Sequence, residues 1–120
     1  MTLNLPVRPD RDCNECPRLR TFLLDNRDKY PTWHNAPVDS FGDINGEILI
    51  VGLAPGLKGA NRTGRPFTGD YAGDLLYDTL LKFSLAEGEY KADPEDGLRL
   101  NNCRITNAVR CLPPENKPVG

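Results

Sequence analysis

Apolar residues recur every three or four positions between Pro17 and Tyr30. The positions at this spacing are Leu19, Phe22, Leu23, Asn26 and Tyr30. This pattern predicts an amphipathic helix whose apolar stripe has a partly polar position. Pro17 is compatible with the first helical turn, and Pro31 ends the helix. The following segment, 31–46, is expected to be a surface connection.

Two shorter apolar segments have the pattern of buried strands, with β-branched residues between turn-forming ones. They are Glu47–Leu53 (EILIVGL) and Cys103–Val109 (CRITNAV). Between them, apolar positions at helical spacing predict a second helix; these positions are Ala72, Leu75, Leu76, Thr79, Leu80 and Phe83. The segment 86–102 contains Pro94 and two glycines and is expected to be a polar excursion.

The order of these elements is helix, strand, long loop, helix, strand. This order is typical of a βαβ unit, so we expect one α/β domain over residues 1–120 with parallel strands. Ligands of such sheets bind beyond the carboxyl ends of the strands. The segments 52–70 and 107–118 both begin at such ends, so they are the first candidates for a functional site.

Composition and charge restrict the function classes. The chain has 120 residues and a net charge of −2, so any phosphate-binding surface has to be local. No apolar run is long enough for a membrane span, and the N-terminal MTLNLPVRPDRD lacks the apolar core of a secretion signal. We therefore expect a cytoplasmic protein without membrane contact. In reducing surroundings the pair Cys13-x-x-Cys16 indicates metal or redox chemistry rather than a disulfide.

The loop from Gly52 to Asp70 (GLAPGLKGANRTGRPFTGD) is unusually long for a compact chain. It contains five glycines and two prolines. Loops of this length usually bind something. Its glycine spacing matches neither the phosphate-binding loop G-x-x-x-x-G-K-[ST] nor the dinucleotide pattern G-x-G-x-x-G. An ordinary strand-to-helix loop, with glycines for turns and cations for solubility, is the alternative.

The motif VGLAPGLKGANRTGRPFTGDYAG resembles the first motif of the uracil-DNA glycosylase superfamily. It is most similar to the iron–sulfur branch called family 5, since Leu53 stands where family 4 has a glutamate. CNECPRL and CRITNAVRCLPPENKP resemble further motifs of the family, so the resemblance extends from Cys13 to Pro118. It implies a three-layer α/β/α sandwich with a central parallel sheet. It also implies base-excision repair, by hydrolysis of the N-glycosidic bond of uracil, or of other deaminated bases such as hypoxanthine, in DNA.

The resemblance assigns a substrate site to the start of the loop. Its residues there are Gly52, Leu53, Ala54, Pro55 and Gly56, whose backbone can approach DNA closely. Phe67 offers a flat face to a base flipped out of the duplex, and its alternative role is a core anchor under the loop. Asn107 can hydrogen-bond the polar edge of a pyrimidine, and its alternative role is to cap local backbone groups.

Asp70 is the candidate catalytic residue. Cleavage of the glycosidic bond builds positive charge on the deoxyribose, which a carboxylate stabilises, and the resemblance assigns this role to Asp70. Asp70 also precedes a predicted helix, so a simple N-cap is the alternative. Lys58, Arg62 and Arg65 are expected to contact DNA phosphates, or else to form a solvated rim.

The cysteines suggest a metal centre. Thiolates at the spacing of Cys13 and Cys16 suit a [4Fe–4S] cluster or zinc. The resemblance makes Cys13, Cys16 and Cys111 three ligands of a [4Fe–4S] cluster. Cys103 matches no ligand position and is expected to be a buried free thiol.

The family's fourth ligand and later strands come after the point where this sequence ends. Either the chain is a C-terminally truncated portion of the domain or Cys103 substitutes, and we expect the former. The isolated chain is then expected to be a loosely folded, inactive monomer with an incomplete cluster site. Two other function classes are a non-catalytic iron–sulfur or zinc nucleic-acid-binding module and a zinc hydrolase. A single histidine argues against the hydrolase.

Overall fold

The computed structural model describes residues 9–118. The ends of the expected domain 1–120, and most of the N-terminal segment in which no secretion signal was predicted, lie outside the described residues. Between residues 9 and 118, no helix combines the length and apolar character needed to cross a bilayer.

Three α-helices and five strands make up the regular structure of this part of the chain. In chain order they are α1 (Pro17–Lys29), β1 (Phe41–Gly42), β2 (Ile48–Gly52), α2 (Ala60–Thr63), α3 (Tyr71–Lys82), β3 (Ala86–Glu87), β4 (Arg99–Leu100) and β5 (Cys103–Asn107), followed by a 3₁₀ turn at Pro114–Asn116. The two predicted helices and the two predicted strands are confirmed. Both strands end slightly before the predicted boundaries, although the amides of Ala108 and Val109 still donate to the carbonyls of Gly52 and Leu53.

The main sheet has the strand order β1–β5–β2. The expected parallel pairing is confirmed, since β2 and β5 run parallel from Ile48 opposite Cys103 to Gly52 opposite Asn107. Strand β1 pairs antiparallel with β5, so the sheet is mixed and the segment 31–46 is not only a surface connection. The pairing brings the carboxyl ends of β2 and β5 side by side, which positions both candidate segments at one edge.

The core lies between α3, β5 and a second, two-stranded sheet made by β3 and β4. The prediction that 86–102 is only a polar excursion is therefore wrong, because Ala86, Leu98 and Leu100 are buried there. The predicted apolar face of α3 is also partly wrong. Gly73, Tyr77 and Leu80 are its buried residues, whereas Leu75 and Phe83 are exposed. Tyr77 selects this face because its hydroxyl donates to the Pro66 carbonyl and its ring stacks on Tyr90.

Strand β2 is largely exposed and is partly buried only at Ile50 and Gly52. Ile50 packs against the core, whereas Leu49, Val51 and Leu53 are 61%, 57% and 64% exposed. The prediction of a fully buried strand is thus wrong for the described part of the chain. The α/β architecture is confirmed, and the three-layer sandwich and the truncation stay predictions.

Candidate functional site

A cavity of about 280 Å³ opens at the carboxyl edge of β2 and β5. Its lining residues are Leu53, Ala54, Pro55, Gly56, Lys58, Gly59, Ala60, Phe67, Thr68, Gly69, Asp70, Ala72 and Asn107. Most of the predicted substrate-site residues therefore meet at one place, although up to 54 positions separate them in sequence. The parallel register explains this, because the loop after β2 and the end of β5 leave the sheet at the same edge.

Gly52, at the end of β2, lies directly against the side chains of Phe67 and Asn107. A Cβ atom at this position would lie 2.5 Å from Cζ of Phe67 and 2.6 Å from Oδ1 of Asn107. Only glycine therefore allows the ring and the amide to come together at the end of β2. Phe67 itself has a φ of 59°, the left-handed region in which a bulky residue is strained. Such strain persists where surrounding contacts hold the backbone, often at functional sites.

Asn107 is buried yet its side-chain amide has no hydrogen-bond partner in residues 9–118. Its amide atoms are not fully enclosed, since the enclosed atoms without a partner in the described residues belong to Asn61, Arg65 and Tyr90. The residue lines the cavity, so its amide is suited to pair with a polar group that enters there. This geometry does not support the alternative in which Asn107 only caps local backbone.

Asp70 is both an N-cap and a cavity residue. Its Oδ1 atom accepts a hydrogen bond from the Gly73 amide at 2.8 Å, which confirms the predicted cap at the start of α3. The side chain is exposed and lines the cavity. The cap engages one oxygen of the carboxylate, so the structure accommodates a second role for the other oxygen.

The three predicted phosphate contacts differ in their surroundings. Lys58 is exposed and lines the cavity, and Arg62 is exposed on α2. Both cations are accessible to a polyanion near the site.

Arg65 does not fit a phosphate contact. Its guanidinium donates two 2.8 Å hydrogen bonds to the Asp96 carboxylate, and these side chains are 2% and 0% exposed. The Arg65 charge is thus enclosed and neutralised inside the protein. The prediction that Arg65 contacts DNA phosphates is therefore wrong.

A second cavity, of about 480 Å³, is lined by the three predicted cluster ligands. Cys13 precedes α1, Cys16 occupies its N-cap position without a side-chain cap bond, and Cys111 follows β5. Burial, and then the charges of Cys13 and Cys16, raise the pKa of the Cys111 thiol to about 11. Cys103 is fully buried in the core with its Sγ against the Leu85 carbonyl, as expected of a free thiol.

These thiols have the donor chemistry of an iron–sulfur site but do not form a closed one. Within residues 9–118, no three Cys, His, Asp or Glu side chains are close enough together to hold a metal ion. A four-iron cluster takes four thiolates, and three line this cavity. The described residues thus fit part of such a site.

The match to a known family includes every lining residue of the first cavity. A family model described as the Uracil DNA glycosylase superfamily matches residues 40–119. The chain belongs to this superfamily. The type-5 uracil-DNA glycosylase of Thermus thermophilus is 46% identical over 113 residues, covering 89% of this chain and 51% of the relative.

Two further relatives have lower identities and are also covered only in part. The type-5 uracil-DNA glycosylase of Mycobacterium tuberculosis is 44% identical over 114 residues, covering 89% of this chain and 42% of the relative. A type-4 enzyme of Pyrobaculum aerophilum is 34% identical over 97 residues, covering 79% of this chain and 42% of the relative. The chain of this superfamily member thus spans about half the length of the curated relatives it matches.

Sequence reasoning did not identify two residues that support the site of this superfamily member, Asp96 and Tyr77. Asp96 lies in a polar segment 31 positions after Arg65, and nothing in the local pattern distinguishes it from its exposed neighbours. Tyr77 could have been found as the one aromatic residue at the centre of the predicted helix. Its hydroxyl holds the Pro66 carbonyl at 2.6 Å, directly before Phe67.

Proposed function

We propose that this chain provides the base-binding and catalytic part of a DNA glycosylase that releases uracil from DNA. The observation that carries the proposal is that Phe67, Asn107 and Asp70 line one cavity at the carboxyl edge of the sheet. These residues offer a flat face, an unpaired amide and a carboxylate in one place. Superfamily membership supports the same chemistry.

The base is proposed to enter the cavity after it is flipped out of the DNA. Phe67 then offers its ring for stacking, and the Asn107 amide pairs with the polar edge of the pyrimidine. A base with the wrong edge would leave this buried amide unpaired, which gives selectivity. Whether hypoxanthine or other deaminated bases are also accepted depends on this contact.

Asp70 is proposed to stabilise the positive charge that develops on the deoxyribose and to orient the attacking water. Its cap bond to the Gly73 amide fixes the carboxylate at the cavity wall. The cap and the catalytic role are therefore compatible, since one oxygen serves each.

Lys58 and Arg62 are proposed to contact phosphates of the DNA strand. The chain carries a net charge of −2, so these exposed cations would create a local positive surface beside the cavity. Phosphate contacts of this kind fix the position of a protein on DNA without reading sequence.

Cys13, Cys16 and Cys111 are proposed to provide three thiolates to a [4Fe–4S] cluster. The shared cavity and the family resemblance support this assignment. The cluster would join the start of α1 to the segment after β5, which is a structural role. A monomer in the reducing cytoplasm is the state in which we expect these thiols to bind iron.

The test is base release from duplexes that contain one uracil or one hypoxanthine, using the gene product that carries this chain. We expect uracil release that falls by orders of magnitude in Asp70→Asn, while duplex binding persists. Asparagine keeps the size and the cap, so the loss would report the charge. Asp78→Asn is the matched control, since it removes an exposed charge from the same helix.

Near-normal turnover in Asp70→Asn would reduce Asp70 to a helix cap. Duplex binding without base release by the unaltered protein would instead indicate a non-catalytic nucleic-acid-binding module.

A further inference from the structure

Each oxygen of the Asp96 carboxylate accepts two hydrogen bonds. Besides the two bonds from Arg65, its oxygens accept the backbone amides of Lys91 and Leu98 at 2.9 and 3.0 Å. The carboxylate is therefore fixed within the segment between β3 and β4. An arginine fork that binds both oxygens of such a carboxylate has little freedom to rotate.

Arg65 is held on a second side by an aromatic ring. Its guanidinium carbon lies 4.4 Å from the ring centre of Phe41 in β1. The next residue, Pro66, is held by the Tyr77 hydroxyl of α3. Three separate elements thus fix two consecutive residues of the loop.

The fixed residues come directly before the functional ones. Phe67 follows Pro66 with its strained left-handed backbone, and its carbonyl carbon lies close enough to α3 that a Cβ at Gly73 would be 2.7 Å away. Asp70, three residues later, is the N-cap of α3. A rotation at Arg65 would therefore move both the stacking ring and the carboxylate.

We propose that Arg65 and Asp96 are positioning residues, whose ion pair holds Phe67 and Asp70 in the geometry needed for base release. The expected effect on the rate of base release rests on the proposed function. The expected effect on the positions of Phe67 and Asp70 rests on the loop geometry alone. Neither residue lines the cavity, so both act through the loop. A buried ion pair is a weak source of stability, because desolvation offsets the attraction. Its geometry is the more specific contribution.

The experiment compares Asp96→Asn, Arg65→Met and the double variant in the gene product that carries this chain. Each single variant leaves one buried group without its partner, whereas the double variant removes both charges and should regain stability. Leu98→Ala is the control, since it removes core packing from the same segment and keeps both partners of the ion pair.

Two readouts separate positioning from stability. The first is the single-turnover rate of uracil release together with the dissociation constant for the duplex. The second is hydrogen exchange of the Gly73 amide, which the Asp70 carboxylate protects, compared with the Leu80 amide later in the same helix. The second readout does not require activity.

We expect the rate to fall on the order of 10²-fold in the double variant, with the dissociation constant nearly unchanged. Gly73 should exchange faster while Leu80 keeps its protection, and Leu98→Ala should show neither effect at equal thermal stability. A double variant that regains stability together with rate and Gly73 protection would overturn the proposal. If the unaltered protein releases no uracil, the proposed function fails, and the exchange of Gly73 alone decides the inference.

Discussion

Replacing Gly73 with alanine sets two effects of opposite sign against each other. Alanine in place of glycine inside a helix stabilises by about 1 kcal/mol through helix propensity. Gly73 occupies the first turn of α3, where its amide donates to the Asp70 carboxylate. An added Cβ would lie 1.9 Å from the Phe67 carbonyl oxygen and 2.7 Å from its carbon.

The contact decides the sign because the neighbouring atoms are backbone and cannot rotate away. Real Cβ atoms stay at least 3.0 Å from other heavy atoms, so the helix and the Phe67 carbonyl have to separate by more than 1 Å. Overpacking of this kind costs about 1–3 kcal/mol, and a weakened cap adds up to about 1 kcal/mol. After the propensity gain is subtracted, we expect a net destabilisation of up to about 3 kcal/mol, which lowers Tm by roughly 4 °C for each kcal/mol.

The same shift moves Phe67 and Asp70 relative to the cavity. A displacement of about 1 Å at a reacting geometry can reduce the rate on the order of 10²-fold. The assays are a thermal melt and the single-turnover rate of uracil release. Gly56→Ala is the control for the melt, since nothing lies within 4 Å of the added methyl group. A higher Tm with an unchanged rate would show that helix propensity dominates and that the loop tolerates the shift.

Two further results are expected. Replacing Lys58 and Arg62 with alanine should reduce the slope of log binding constant against log salt by about 2, whereas Lys29→Ala on α1 should leave it unchanged; an unaltered slope in the double variant would contradict the phosphate contacts. Burial alone would raise the pKa of Asp96, but the bonds from Arg65 and from two backbone amides outweigh it and hold that pKa well below its usual range. Because the folded pKa is lowered, this stability is present above about pH 4 and is lost as the pH falls further, so Tm should decline less steeply in acid for Asp96→Asn.

The elements that local pattern controls were predictable from the sequence. The apolar run at β2 and the helical spacing of α3 each indicated an element that the structure contains. The parallel pairing followed from the order of elements, and with it the meeting of Phe67, Asp70 and Asn107 at one edge. Local pattern failed for the buried face of α3, because tertiary contacts of Tyr77 with Pro66 and Tyr90 select that face.

Long-range polar pairing could not be predicted. Arg65 has the sequence context of an exposed loop cation, and Asp96 that of an exposed acid. Their burial depends on the packing of the β3–β4 segment against the loop 52–70. The hydrophobic periodicity of either segment alone does not predict this packing. The same limit applies to β1, since a two-residue strand in a proline-rich connection is too short to produce an alternating pattern.

The parallel register of β2 and β5 has a consequence for how the sequence can change. Side chains alternate between the two faces of a strand, so a slip of β5 by one residue would turn Asn107 to the opposite face. Thr106 or Ala108 would then stand opposite Gly52. Neither offers a side-chain amide to a base. Insertions and deletions between the two strands are therefore tolerated only where the surrounding loops absorb the change in length, leaving the pairing of Gly52 with Asn107 intact.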